Sequence, residues 1–553
     1  MIPRRARSHL VAVTALMAAA WALGGCAAMP DQRRATFGID FRIPGAPERP
    51  AAIVFFVDGV NREVFDQLLK AGRLPTIQKY FVDRGLYAER CVANIPSVTL
   101  PNETSFVTGV FCGRHGITGN NWFDRNRLMS RNYEEVNQKN TLDGDYLAPT
   151  IFERLPDAMT MSLFFQAHRG ATKFVENWLS AGPPYFFGWY NFVDRICLWR
   201  FEIVAELARA RGEFPAFTIA YLLAPDMEAY GAGISSDAYR QALEHADAHI
   251  GRVLRDLEAA GRLERTVIVL ASDHGMMDVT RHWSIEKFLR DDLGLAVSGE
   301  GLAEDFRFQL RLAYYRRFTC VLAGSGDRCW CIYLRKPRAG PGDSAKPAFE
   351  NWLARPSPDD LRSYPTRDGK RVDLIQRLRE AEAVDVVAYK AGENVVHVAT
   401  KKGLVEVARD GPAGRTLTCR ILQGDDPLGY AAAMPTYTLY GKPYDRDVWL
   451  DATADTEYPD LVPQIVTYFD ARRTGDIVIF AAPGWDFHHR NKGGHGGVRP
   501  PEMYTVLLMA GPGVPRERRT TAVRAVDVMP TLLDLLGRPV PTDLDGRSLL
   551  RKP

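Results

Sequence analysis

AAIVFFVDG, residues 51–59, is a short unbroken apolar run that closes on an aspartate and a glycine. It shows no alternation of apolar and polar positions, so it fits a strand buried on both faces, as in a parallel sheet covered by helices. FTIAYLLAPD (217–226) and TVIVLASDHG (266–275) have the same form, and the three runs end on Asp58, Asp226 and Asp273. Open α/β sheets gather ligands and catalytic groups at the carboxyl ends of their strands. Helical segments lie between the runs. In SDAYRQALEHADAHIGRVLRDLEAAG (236–261), Tyr239, Ala242, Ala246, Ile250, Val253 and Leu257 share one face at steps of three and four. GDIVIFAAPG (475–484) and YTVLLMAGPG (504–513) read as two more buried strands. The pattern predicts an α/β protein.

An aspartate after a strand is often the cap of the next helix. Three of them, one followed directly by His274, are better explained by a metal cluster. Carboxylates with imidazole suit zinc or manganese and need no thiolate. His495 lies in NKGGHGG, where glycines let imidazole and backbone come close to a ligand. The run PSVTLPNETSFVTG (96–109) is crowded with hydroxyls, any of which could be a turn or helix-start residue, and one of which could be a nucleophile.

Composition bounds the rest. The 553 residues are 46% hydrophobic, 25% charged and 10% aromatic, which is globular and excludes wholesale disorder. Net charge is +3, and loss of Arg4, Arg5 and Arg7 with a leader brings it near zero, so no nucleic-acid partner is expected. MIPRRAR followed by HLVAVTALMAAAWAL reads as an export signal spanning 1–26, too short in its apolar part for a spanning helix. Leu23-Gly-Gly-Cys26 resembles a bacterial lipobox, and Ala27 lacks the aspartate that retains lipoproteins in the inner membrane. A lipid on Cys26, an outer-membrane location facing the periplasm and a tether over 27–48 are the expectation, with the membrane touched through that anchor only. The seven other cysteines show no zinc framework, although Cys320 could pair with Cys329 or Cys331 across a hairpin.

FFVDGV, SVTLPNETSFVTG followed by RHGITGN, the Pro-Asp at 225–226, LASDHGM, KGGHGG and the tail AVDVMPTLLDLLGRPVPTDLDGRSL occur in an order that resembles the alkaline phosphatase superfamily, and within it the type I phosphodiesterase/nucleotide pyrophosphatase branch. The resemblance implies a three-layer sandwich with a largely parallel central sheet. It covers about residues 50–290 and 445–550. It implies that Thr99 is the nucleophile, with Ser97 its one rival, and that Asn102 donates to a phosphoryl oxygen. Asp58, Thr99, Asp273 and His274 would hold one divalent ion, zinc or manganese. Asp226 and His495 would hold a second, together with a histidine four residues after Asp226. Here that position is Tyr230. A neutral phenol, with a pKa near ~10, is a poor zinc ligand, which leaves occupancy of the second position open.

The other histidines are weighed on spacing alone. His245 and His249 stand i, i+4 on a helix face, read as a solvated pair, while His488 and His489 precede the His495 loop and are nearer candidates. His115 looks structural. Residues 305–440 match the family weakly, and DVVAYKAGENVVHVATKKGLVEVARDG suggests a small antiparallel sheet, read as an inserted α+β cap between core parts 49–304 and 441–553. The aromatic stretch YFFGWYNFVDRICLWRF (185–201) is read as packed core in preference to the lining of a pocket. The expected function is a metal-dependent phosphoesterase acting on a small phosphate ester through a phosphothreonine. The competing reading is an impaired relative that binds phosphorylated ligands at the envelope, for which Tyr230 speaks.

Overall fold

The computed structural model describes residues 38–45, 49–135, 138–299, 306–338, 347–411, 414–431, 438–487 and 490–550. The expected leader, Cys26, most of the tether, His488 and His489 lie outside the described residues.

The strands that organise the chain are β1 (Ala51–Val57), β2 (Gly85–Val92), β3 (Thr160–Leu163), β4 (Lys173–Val175), β5 (Phe217–Leu222), β6 (Thr266–Ala271), β7 (Cys320–Ser325), β8 (Cys329–Leu334), β9 (Val384–Gly392), β10 (Val395–Thr400), β11 (Gly403–Arg409), β12 (Thr416–Gln423), β13 (Ile477–Ala481) and β14 (Tyr504–Ala510). The first nine-stranded sheet runs β2-β14-β6-β1-β5-β3-β4, with the short strands Glu517–Arg519 and Val523–Arg524 beside β2. β1 pairs parallel with β5 on one side and β6 on the other. β14 runs antiparallel to β6 and to β2. Ile53, Phe55 and Val57 pack into one apolar cluster and Ala52, Val54 and Phe56 into another, so β1 feeds a core on each face of the sheet. That two-sided burial is why the run carries no polar alternation. On one of those faces the helix Asp237–Ala259 buries Tyr239, Ala242, Ala246, Ile250, Val253 and Leu257, the face read from its periodicity.

The topology places β1 between β5 and β6, so the three aspartates leave neighbouring strands at one sheet edge. None of them caps a helix. Asn61 caps Arg62–Lys70 by accepting from Val64 N at 3.0 Å, and Asp226 lies inside the first turn of Ala224–Ala232.

A second nine-stranded sheet runs β7-β8-β13-β9-β10-β11-β12 between the short strands Val297–Ser298 and Pro443–Asp445. This corrects the expected insert of 305–440 at both ends. β13, expected as one more strand beside those of the core, pairs antiparallel with β8 and β9. The predicted hairpins β9–β10 and β10–β11 are present, within a larger sheet than the segment itself suggested. β7 and β8 pair with Cys320 opposite Leu334 and Cys331 opposite Ala323, so Cys320 sits at the far end of the hairpin from either expected partner. Cys91, Cys112, Cys197, Cys320, Cys329, Cys331 and Cys419 are all buried free thiols. The aromatic stretch divides. Val193, Ile196, Cys197, Leu198 and Phe201 are core, whereas Phe186, Phe187 and Trp189 are exposed at the turn between two helices.

Candidate active site

The nucleophile run forms a loop and then the helix Thr99–Thr108, whose first residue is Thr99. Its positive end therefore lies at Thr99, where an anionic group is favoured. The run's other hydroxyls are occupied within the fold. Thr104 Oγ1 donates to the Leu100 carbonyl at 2.8 Å, Thr108 Oγ1 to that of Thr104 at 2.6 Å, and Ser105 Oγ meets His115 Nε2 at 2.9 Å. These side chains bond back along the helix or across to His115 and cap neither end. Ser97 Oγ donates to the Gly497 carbonyl at 2.8 Å and accepts from Gly496 N at 3.2 Å, which ties the nucleophile loop to the His495 loop. Thr99 is left free to react, with its Oγ1 3.2 Å from His274 Nε2.

Gly59 permits the close approach of Asp58 and Asp226. Its φ is +64°, and a Cβ there would lie 2.8 Å from that of Asp226. Asp273 Oδ1 accepts from Gly59 N at 3.2 Å, His274 N at 2.9 Å and Ser272 Oγ at 3.2 Å. Asp58 Oδ2 accepts from the Tyr221 hydroxyl. What remains is three buried carboxylate oxygens with no hydrogen-bond partner: Asp58 Oδ1, Asp226 Oδ1 and Asp273 Oδ2. Burial, with the charges of Asp226 and Asp273, raises the Asp58 carboxyl well above the carboxylate range. Burial and the charge of Asp273 do the same to Asp226. Burial holds His274 neutral, its pKa lowered to about 3. Three orphaned oxygens and a neutral imidazole facing one another are an unfavourable arrangement that a cation resolves. The donor set fits a divalent metal. Two groups could take one, Asp58–Asp273–His274 and Asp226–His274–His495.

His495 stacks on His274, rings 3.6 Å apart and 12° from parallel. Its Nδ1 bonds the Ser97 carbonyl at 2.9 Å, and its Nε2 lies 2.6 Å from Tyr230 Oη and 3.8 Å from Asp226 Oδ1. Gly326, at φ +60°, makes room for this ring, since a Cβ there would fall 2.7 Å from Nδ1. Burial and the charges of Asp226, Asp327 and Glu134 keep Tyr230 a neutral phenol, its pKa raised well above the ordinary value.

The structure thus gathers Asp58, Thr99, Asp226, Tyr230, Asp273, His274 and His495. Asn102 requires a correction. Its Nδ2 donates to the carbonyls of Pro96 and Val98, both at 2.9 Å, and of Asn94 at 3.2 Å. Its Oδ1 accepts from Asn94 N at 2.7 Å. The amide is spent on shaping residues 94–98 and has no donor left for a phosphoryl oxygen. The asparagine beside the nucleophile is Asn120, whose Oδ1 accepts from Leu100 N at 3.1 Å and whose Nδ2 donates to Glu134 at 3.2 Å. It closes the RHGITGN segment quoted above, and its pairing across twenty residues has no local signature. Tyr221 was missed as well, because its alternate position in β5 reads as core. Of the i, i+4 pair read as solvated, His245 is exposed but His249 is half-buried, and neither is in the two metal-holding groups.

Residues 52–318 match the family model described as type I phosphodiesterase / nucleotide pyrophosphatase. That segment, just under half of the chain, is similar to the type I phosphodiesterase/nucleotide pyrophosphatase family. Ectonucleotide pyrophosphatase/phosphodiesterase family member 1 of Homo sapiens is 26% identical over 242 residues, 42% of this chain and 24% of the relative. The ectonucleotide pyrophosphatase/phosphodiesterase C27A7.3 of Caenorhabditis elegans is 25% identical over 252 residues, 45% of this chain and 31% of the relative. The match thus spans only a quarter to a third of the length of these relatives. The solved murine ectonucleotide pyrophosphatase/phosphodiesterase 5 superposes with a TM-score of 0.54 at 15% identity, over 89% of this chain and 96% of that one. At that identity the superposition shows the fold alone, which is alkaline-phosphatase-like.

Proposed function

We propose that the chain is a metal-dependent phosphoesterase that cleaves a phosphodiester or pyrophosphate bond of a small substrate by way of a phosphothreonine on Thr99. One observation carries this reading. Thr99 Oγ1, at the positive end of a helix, is aimed at His274 Nε2 amid three orphaned carboxylate oxygens. A divalent cation, zinc before manganese, held by Asp58, Asp273 and His274 would lower the pKa of a coordinated hydroxyl and offset phosphoryl charge. Ser97 and Asn102 hold the loop that presents Thr99. Thr99 Oγ1 forms its bond to phosphorus as the ester oxygen departs, its proton passing to solvent and the leaving oxygen drawing one from it. Water then cleaves the phosphothreonine. The relatives support the substrate class. Crotalus adamanteus venom phosphodiesterase 2 is 25% identical over 247 residues, and an inactive threonine-to-alanine form of the murine protein was solved in complex with AMP.

The test is turnover of an aryl phosphate diester by zinc-loaded protein, with acid quench and mass analysis for phosphate on Thr99. A labelled Thr99 supports the reading. A zinc-loaded protein that turns over no aryl mono- or diester, yet retains AMP, would favour the envelope binding protein. The location is proposed with it: a lipid on Cys26 and an outer-membrane anchor. No helix among the described residues is long and apolar enough to cross a membrane. Cys26→Ser should move the protein from the outer-membrane fraction, and unmodified wild-type protein in soluble periplasm would overturn the anchor.

A further inference from the structure

The two candidate metal clusters are not independent, because both draw on one nitrogen. His274 Nδ1 meets the Gly275 carbonyl at 3.1 Å, a contact only an N–H can make favourable, so the lone pair of the neutral ring is on Nε2. That atom lies 3.2 Å from Asp273 Oδ2, 3.4 Å from Asp58 Oδ1 and 3.2 Å from Thr99 Oγ1. One sp² lone pair serves one cation, and the two orphaned oxygens beside it decide which. The second cluster is left with Asp226 and His495.

His495 is also committed. Its Nδ1–H donates to the Ser97 carbonyl, so its single lone pair is on Nε2 as well. Tyr230 Oη lies 2.6 Å from that atom, and a nitrogen that can only accept makes the phenol the donor. The lone pair that would ligate a second ion holds the Tyr230 proton instead. Asp226 Oδ1 alone stays without a partner there. Among the described residues no further acidic, histidine or cysteine side chain joins this cluster.

We infer that the chain takes one divalent cation, at Asp58, Asp273 and His274, and that the Tyr230–His495 hydrogen bond stands where a second would otherwise bind. Tyr230 is then a positioning residue. By holding Nε2 it fixes the His495 ring flat against His274, 3.6 Å away, and so steadies the imidazole that faces both Thr99 and the cation. An ion held by one carboxylate and water exchanges freely, which is the state this arrangement leaves on the Asp226 side. The inference rests on the phosphoesterase reading for its purpose, but not for its test.

The test counts metal rather than turnover. Full-length protein is stripped, dialysed against buffered free zinc, and its zinc measured by mass spectrometry. Wild type should saturate at one equivalent. Tyr230→Phe removes only the hydroxyl and frees His495 Nε2, and should gain a second, weaker equivalent. Tyr230→His adds a donor of its own and should bind that equivalent at least about tenfold more tightly than the Phe variant. Melting temperature checks that each variant is folded, and His serves if Phe is not. Two equally tight zinc ions in the wild type would overturn the inference, as would a Tyr230→Phe or Tyr230→His protein that still stops at one. One bound zinc with no esterase turnover would leave this inference standing and remove the phosphoesterase reading. Two zinc ions with turnover would do the reverse.

Discussion

The Asp58–Asp273–His274 side of the site and the Asp226–Tyr230–His495 side are built alike and end differently. Each hangs from a strand of the same sheet and contributes carboxylate and imidazole. On the first side, two carboxylate oxygens face inward with no partner, and the imidazole nitrogen meets the Thr99 hydroxyl at 3.2 Å. On the second, one phenol proton closes the imidazole. A ligand inventory is a count of lone pairs still free, not of residue names. A tyrosine changes the count twice, by donating poorly to a metal and by donating well to the neighbour that would have bound it.

Breaking the first side should have the largest effect. Thr99→Ala should lower turnover by at least about a thousandfold, with the melting point almost unmoved, because its hydroxyl meets only His274. Turnover near the wild-type level in Thr99→Ala would dismiss Thr99 as the nucleophile. Ser97→Ala is the sharpening control: it unties the loops at 97 and 497 and should slow turnover while leaving Thr99 phosphorylated.

Asn102→Ala should act on stability, since its amide holds residues 94–98 through the carbonyls of Asn94, Pro96 and Val98. A loss of roughly 2–4 kcal/mol in denaturant unfolding is expected. A loss of turnover without loss of stability would return Asn102 to the chemistry.

The smallest effect concerns the support of the second side. Asp194 is buried and accepts from Leu223 N and Ala224 N, at the start of the Asp226 helix. Burial raises its pKa from 3.8 to about 7. Between about pH 4 and 7 the folded carboxyl keeps its proton while the unfolded one has lost it. Folding therefore takes up a proton, and stability falls as pH rises through that window. Asp194→Asn should flatten that part of a melting-temperature profile measured from pH 4 to 8. An unchanged slope would mean that Asp194 is ionised in the fold.

Much of this was legible in the chain. Buried parallel strands announce themselves by unbroken apolar runs, and 51–57, 217–222 and 266–271 are all strands of the first sheet. The expected metal positions come together because the strands leading to Asp58, Asp226 and Asp273 are neighbours, and the Ser97–Gly497 contact joins the Thr99 and His495 loops. The errors have one source. Asn102 and Asn120 are both asparagines near Thr99 in sequence, and only the three-dimensional path of 94–98 shows which amide is already consumed. The 477–481 strand is as apolar as 504–510, and nothing within it says which sheet it joins.

Local chemistry and periodicity, then, determined the elements and the kinds of atom at the strand ends. Residue type, spacing and short-range sterics act within a few residues, so one strand can be read without its neighbours. Order within the sheet, the placing of β1 between β5 and β6, and the fate of each lone pair were decided by tertiary structure. Those depend on contacts such as Ser97 with Gly497 and Tyr230 with His495, 400 and 265 residues apart in the chain. No local pattern encodes a hydrogen bond across that distance, and here such a bond closes a metal ligand.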